Sequence, residues 1–297
     1  MQLIVEVVDA AVTSQSTLTV LLDPTDTCVI NWGDGEVQYV TNEQPSIYTH
    51  TYSANGVYRA SIINPIQRIS FYGSVVLTHV LSWGNSPELA RFPGYGMFEQ
   101  CINLVGIPSV FPANLVLAVS MFSGCRNLGS IPIDLSGWDT TSIGNARSMF
   151  KGCISLGMHG PVGIRYWNLP YLSEASSMFE GCVSLNEPIS WNLPSLAKVD
   201  YMFRSCSLLN SDISMQNMTS LSNIYAMFMD CIDLNGTINV DTAHAVSMRY
   251  MFYNCTSLNQ DLAATMSFRK LGQGDVATRA CSLEGFAGGT TKLTGAN

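Results

Sequence analysis

The chain is 297 residues long and 47% apolar, enough to bury a large core, while only 12% of it is charged and its formal net charge is −8. No Lys/Arg cluster is able to track a phosphate backbone, so nucleic acid is excluded as an expected partner. No segment approaches the roughly 20 apolar residues that span a bilayer, and Glu6 and Asp9 interrupt the amino-terminal stretch, so a soluble chain without a processed leader is expected.

From the amino terminus, apolar and β-branched runs at Leu3 to Val8, Leu18 to Leu22, Cys28 to Trp32, Glu36 to Val40 and Val57 to Ile63 predict short strands, separated by turn formers such as Asp23-Pro24 and Asp34-Gly35. Asp34-Gly35 predicts a tight hairpin needing φ > 0. His50 stands in a strand with no second ligand nearby, which favours a structural hydrogen-bonder over a catalytic base or metal ligand. The turn Trp32-Gly33-Asp34-Gly35, followed by His50-Thr51-Tyr52 and Gly56-Val57-Tyr58, resembles the PKD-type immunoglobulin-like domain. That resemblance implies a β-sandwich over 1–65 in which Trp32, Gly33, Asp34, Gly35 and His50 are structural.

Residues 66–96 then read as an amino-terminal cap, and from Met97 a repeat takes over. Met-Phe-x-x-Cys-x-x-Leu occurs seven times, with Met at 97, 121, 149, 178, 202, 227 and 251, at spacings of 24 to 29 residues. Ile143, Leu172, Leu196 and Leu221 lie six before Met, and Ala146, Ala175, Val199 and Ile224 three before. With Phe one after and Cys four after, these offsets predict one short helix per unit. Thr141-Ser142 and Thr219-Ser220 would cap it, Pro170 and Pro194 would suit its first turn, and segments such as Ile131, Ile133 and Leu135 predict a strand after each Leu. The expected core ladder includes Met149, Phe150, Cys153, Met178, Phe179, Cys182, Met202, Phe203, Cys206, Met227, Phe228 and Cys231. Seven cysteines in one column are read as buried free thiols, with bridges between neighbouring rungs as the lesser alternative; Cys28 and Cys281 lie outside the column.

The stretch Asp134-Leu135-Ser136-Gly137-Trp138-Asp139-Thr140-Thr141, with Met149-Phe150-Lys151-Gly152-Cys153-Ile154-Ser155-Leu156, resembles the BspA-like bacterial surface-protein repeats across residues 97–262. The resulting fold class is α+β: an amino-terminal PKD/Ig-like β-sandwich (1–65), a cap (66–96), a leucine-rich-repeat solenoid of seven strand-helix units (97–262) and a carboxy-terminal cap or tail (263–297).

Trp138, Trp167 and Trp191, eleven before Met on consecutive rungs, are either an aromatic platform for sugars or a partner protein, or a seam sealing the solenoid's edge. Asp139, Asn168, Asn192, Asn217 and Asp241 read as a structural Asx column rather than a calcium site. The two longest repeats put extra residues near 129–136 and 158–166, making Arg165, Tyr166 and Trp167 candidate contacts. No GxSxG, HExxH, CxxC, Walker or GxGxxG motif is present, so no enzyme, metal or cofactor is expected. The function expected from these readings is a non-enzymatic virion accessory protein of a tailed bacteriophage, in capsid decoration, tail or fibre. It would sit on the virion surface beside other virion proteins and present a repeat surface to host protein or glycan, with oligomers allowed. The alternatives are a bacterial cell-surface adhesin and an intracellular interaction scaffold.

Overall fold

The computed structural model describes residues 1–7, 16–24, 27–41, 45–63, 66–84, 96–110, 115–260 and 262. The expected tail, 263–297, lies outside these residues, as does Cys281. Near the amino terminus eight strands form two antiparallel sheets. They are β1 (Gln2–Val7), β2 (Thr17–Pro24), β3 (Cys28–Asn31), β4 (Val37–Val40), β5 (Ser46–Thr51), β6 (Gly56–Ile63), β7 (Ile66–Ser70) and β8 (Leu77–Ser82). One sheet runs β4-β3-β6-β1-β8 and the other β5-β2-β7. Alternation decides which face is inside: Cys28 and Ile30 of β3 are buried while Val29 and Asn31 are only partly so, and Val5, Ala60, Ile62 and Val80 meet Leu18, Val20 and Leu22 in the shared core.

The β3–β4 hairpin forms where Asp34-Gly35 predicted it. The Trp32 N–H donates to the Glu36 carbonyl at 3.1 Å, and Gly33 and Gly35 have φ of 90° and 105°. A Cβ on Gly33 would lie 2.6 Å from the Arg59 carbonyl oxygen, so both its torsion and its space require glycine.

Residues 66–82, within the 66–96 stretch expected to be a cap, do two things. β7 and β8 complete the two sheets, and the segment around them bonds to the first repeat. Phe71 N–H donates to the Met97 carbonyl at 2.7 Å, Gly73 N–H to Glu99 at 2.8 Å and Val80 N–H to Gly106 at 3.0 Å. Phe71 also stacks on Phe98 with ring centres 5.5 Å apart. The sheet domain thus supplies the surface on which the repeats stack.

The repeats correct the expected fold class. None of the described residues from 97 to 258 is α-helical; the chain is nearly all β and turn, with one 3-10 turn at Ile164–Tyr166. The residue before Met has positive φ in every rung (Gly96, Ser120, Ser148, Ser177, Tyr201, Ala226, Tyr250), as does the residue three after it (Gln100, Gly124, Gly152, Gly181, Ser205, Asp230, Asn254). Left-handed residues four apart cannot sit in a right-handed helix. Amides alternate instead: Ser120, Phe122 and Gly124 donate to the carbonyls of Arg147, Met149 and Lys151 in the next rung at 2.6–2.8 Å. Met121, Ser123 and Cys125 turn back to Ala118, Ser120 and Phe122 within their own rung. Apolar residues at offsets of three and four therefore face inward from a series of tight turns, the same spacing a helical face would have. The anticipated N-caps are likewise not caps, since Thr141 donates through both its N–H and its Oγ1 to Asp139.

Among the described residues, strands follow Leu in three units: β9 (Ile189–Asn192), β10 (Ile213–Gln216) and β11 (Ile238–Val240), parallel and in register. Residues 129–136, where a strand was expected, form turns and coil. Within the stack the Phe rings of Phe71, Phe98, Phe122, Phe150, Phe179, Phe203, Phe228 and Phe252 lie face to face at 5.3–5.7 Å. Each ladder cysteine donates its thiol to the Phe carbonyl of the preceding rung, as Cys182 does to Phe150 at 3.1 Å.

Candidate functional site

The seven ladder cysteines are free and buried. Burial pushes the thiols of Cys101 and Cys255 up to about 12 and raises the others well above their ordinary value, so they are neutral donors and not nucleophiles. Met149, Phe150, Met178, Phe179, Met202, Phe203, Met227 and Phe228 are fully buried. Those residues are the core and carry no site.

The tryptophans resolve to one of their two readings. Trp138, Trp167 and Trp191 are 4%, 4% and 3% exposed and stack on one another at 5.8 and 6.4 Å. Each Nε1–H donates at 3.0 Å to a backbone carbonyl, of Pro108, Leu135 and Ile164 respectively. They form the seam, and the aromatic platform is corrected on that ground. In the parallel register Met215 occupies the Trp191 position on the next rung.

Arg165 and Tyr166 are exposed, with the guanidinium 4.8 Å over the tyrosine ring. A residue the sequence reading missed fixes their loop. Glu187, 1% exposed, accepts the N–H groups of Val162 and Gly163 on Oε2 at 2.7 and 3.0 Å and that of Arg165 on Oε1 at 3.0 Å. Gly163 has φ 92°, and a Cβ there would lie 2.7 Å from the Ser136 nitrogen. The available signal was that Glu187 is the only acid between Glu180 and Asp200.

His50 stacks on Trp32 with ring centres 5.0 Å apart, and its Nε2 lies 2.6 Å from Asp34 Oδ2. Burial alone would raise the Asp34 carboxyl, but the bonds from His50 and the Glu36 N–H outweigh it and hold it below its ordinary value. The Tyr52 hydroxyl donates to the Trp32 carbonyl at 2.9 Å. This cluster locks the hairpin to β5. In the Asx column, Asp139 and Asp241 accept the N–H two residues on. Among the described residues no group of three or more His, Cys, Asp or Glu is placed to hold a metal ion, and no helix is long and apolar enough to cross a membrane.

Among the described residues a further accessible cluster stands out, and the sequence reading did not find it. On rungs 5, 6 and 7, Tyr201, Tyr225, Tyr250 and Tyr253 form a file with ring centres 5.2, 5.7 and 5.8 Å apart and adjacent rings at 72–75°. Tyr253 is 40% exposed and the other three are partly exposed. Arg204 lies 5.4 Å over Tyr201 and Arg249 lies 5.9 Å over Tyr250, within cation–π range. Asp200 accepts from Asn223 Nδ2 and the Tyr225 N–H at 3.0 and 3.2 Å, yet burial still raises its carboxyl. Tyr201 and Tyr250 occupy the left-handed position before Met, with φ of 62° and 58°, where rungs 1 to 4 place Gly or Ser. A bulky residue there costs on the order of 1–2 kcal/mol. The signal in the sequence was Tyr at a column otherwise held by Gly, Ser and Ala.

A family model described as "Mycoplasma protein of unknown function, DUF285" matches residues 95–160 and 157–265. The chain belongs to the DUF285 family. No curated protein and no solved structure matches it. The expected recognition, BspA-like leucine-rich repeats behind a PKD/Ig-like domain, is corrected accordingly: DUF285 is the family matched over the repeats, the described residues of those repeats form no strand-helix units, and no comparison supports a PKD domain before them. A family of unknown function likewise gives no support to a phage or virion origin, which is set aside.

Proposed function

We propose that this DUF285 protein is a non-enzymatic binding module whose repeats form a rigid support for a contact face that meets a protein or a glycan. The observation that carries this reading is the Tyr201–Tyr225–Tyr250–Tyr253 file. Tyr and Arg are the residue types that concentrate binding energy at contact surfaces, because they offer large area at low side-chain entropy. Two of these tyrosines are held in a torsion that costs stability, and strain retained by a scaffold points to use. The Arg165–Tyr166 pair, clamped through Glu187, is a second and smaller contact on rung 3. A surface adhesin and an intracellular scaffold would use the same faces and differ in where the partner is met.

The test is adsorption of the purified protein to immobilised cell-envelope material, untreated, protease-treated or periodate-treated. Wild type is expected to bind, and Tyr225→Ala/Tyr253→Ala to bind roughly ten-fold more weakly with its thermal unfolding unchanged. Equal binding by the two proteins would remove the face from consideration.

A further inference from the structure

We infer that the repeat stack begins one rung before the first Met-Phe motif, inside the amino-terminal sheets, and that this shared rung makes sheets and repeats unfold as one unit. Phe71, Gly73, Ser74 and Leu77 have the spacing of Phe98, Gln100, Cys101 and Leu104 in the first repeat. Their backbone matches as well. Gly73 is left-handed at φ 69°, where Gln100 is at 61°. Phe71 and Gly73 donate to the Met97 and Glu99 carbonyls at 2.7 and 2.8 Å, as Phe98 and Gln100 donate to Met121 and Ser123 at 2.8 and 2.7 Å. The Ser74 N–H turns back to Phe71 as that of Cys101 does to Phe98, both at 3.0 Å. Cys101 donates its thiol to the Phe71 carbonyl, as Cys125 does to that of Phe98. These residues form a rung 0, hidden in the sequence because Ser70 and Ser74 stand where later rungs have Met and Cys.

Rung 0 is made from both sheets. β7, paired with β2, runs into it at Ser70, and β8, paired with β1, starts at its Leu77. On its other side β8 meets rung 1: the Val105 N–H donates to Thr78 at 2.8 Å and the Val80 N–H to Gly106 at 3.0 Å. Phe71 lies within 8° of parallel to Phe98, so the Phe column continues unbroken into the sheets. Ser74 marks where the thiol ladder starts. It is 6% exposed and its hydroxyl has no hydrogen-bond partner among the described residues, whereas each later thiol reaches the Phe carbonyl of the rung before it.

A stack of repeats separates where the contact between neighbours is weakest. The joint between the sheets and rung 1 carries the same bonds and the same ring stack as a joint between two inner rungs. Unfolding the sheets would strip the Met97 and Glu99 carbonyls of their donors, the Cys101 thiol of its acceptor and Phe98 of one ring neighbour. Each orphaned buried group carries a desolvation cost, so loss of the sheets propagates into the rungs. The sheets are in this sense the template that sets the register of the repeats.

Pulse alkylation of the full chain at stepped urea concentrations, read site by site by mass spectrometry, tests this. Cys28 is buried in the sheets and Cys101 and Cys125 in rungs 1 and 2, all as free thiols, so each reports on its own part. All three are expected to become reactive at one urea concentration. Val20→Ala, in the sheet core on β2 and outside rung 0, should lower the three midpoints by the same amount. If that variant leaves Cys28 reactive without urea, Cys101 and Cys125 should be reactive with it. A Cys28 midpoint below those of Cys101 and Cys125, in either protein, would show sheets melting away from an intact stack and would overturn the coupling. Rungs that open while Cys28 stays protected would overturn it equally.

Discussion

The two aromatic files of this chain make opposite use of the same repeat. Trp138, Trp167 and Trp191 lie parallel, each indole N–H bonded to backbone, and seal the interior. Tyr201, Tyr225, Tyr250 and Tyr253 lie edge to face on the outside of rungs 5 to 7. The period alone does not tell the two apart, because any column recurs at rung spacing. What separates them is exposure: the three tryptophans are 3–4% exposed, whereas Tyr253 is 40% exposed and the other three tyrosines are partly exposed.

If the inner columns are core, their truncation is expected to be the largest effect. Phe179→Ala leaves a gap between Phe150 and Phe203, which stack on it at 5.7 and 5.5 Å, and should cost about 3–5 kcal/mol in denaturant unfolding. A near-neutral result would break the stacked-rung account.

Alkaline pH probes the same interior through the thiols. Their ordinary value is 9.0, and burial raises Cys101 and Cys255 to about 12. Above pH 9 the unfolded chain loses protons that the folded ladder keeps, so this stabilisation is complete below that pH and falls away as pH rises toward the folded values. Unfolding midpoints measured between pH 7 and 11 should drop progressively, and the folded protein should resist alkylation at pH 8.

Glu187→Gln sharpens the distinction between scaffold and contact. One amide oxygen replaces two carboxylate oxygens that accept three N–H groups, and the buried donor left without a partner should cost about 1–3 kcal/mol. The smallest effect on stability is expected at the outer file. Tyr201→Gly exchanges lost ring contacts for relief of the left-handed torsion and should leave the unfolding temperature level or slightly higher. A clear drop would mean that Tyr201 belongs to the core.

The sequence made the repeat, its inward columns, the thiol ladder and the Asp34-Gly35 hairpin legible, because each depends on a residue type recurring in place or on a local turn rule. Helices were inferred wrongly because turns at Met minus one and Met plus three reproduce the helical spacing of apolar residues. Gly124, Gly152 and Gly181, with Ser205, Asp230 and Asn254, are poor helix interiors at one fixed column, and they were the readable objection. Glu187 and the tyrosine file were hidden for a different reason. The partners of Glu187 are 22 to 25 residues away, and the tyrosines come from three columns, at Met minus two, minus one and plus two, that only stacking brings together.

Hydroxyl-radical footprinting of the native chain measures the difference between the two files most directly. Tyr253 and Tyr225 should be oxidised in the folded protein and protected by a bound partner, while Trp138, Trp167 and Trp191 stay unmodified until denaturant unfolds the rungs. Oxidation of those tryptophans in the native state at the rate of the tyrosines would contradict it.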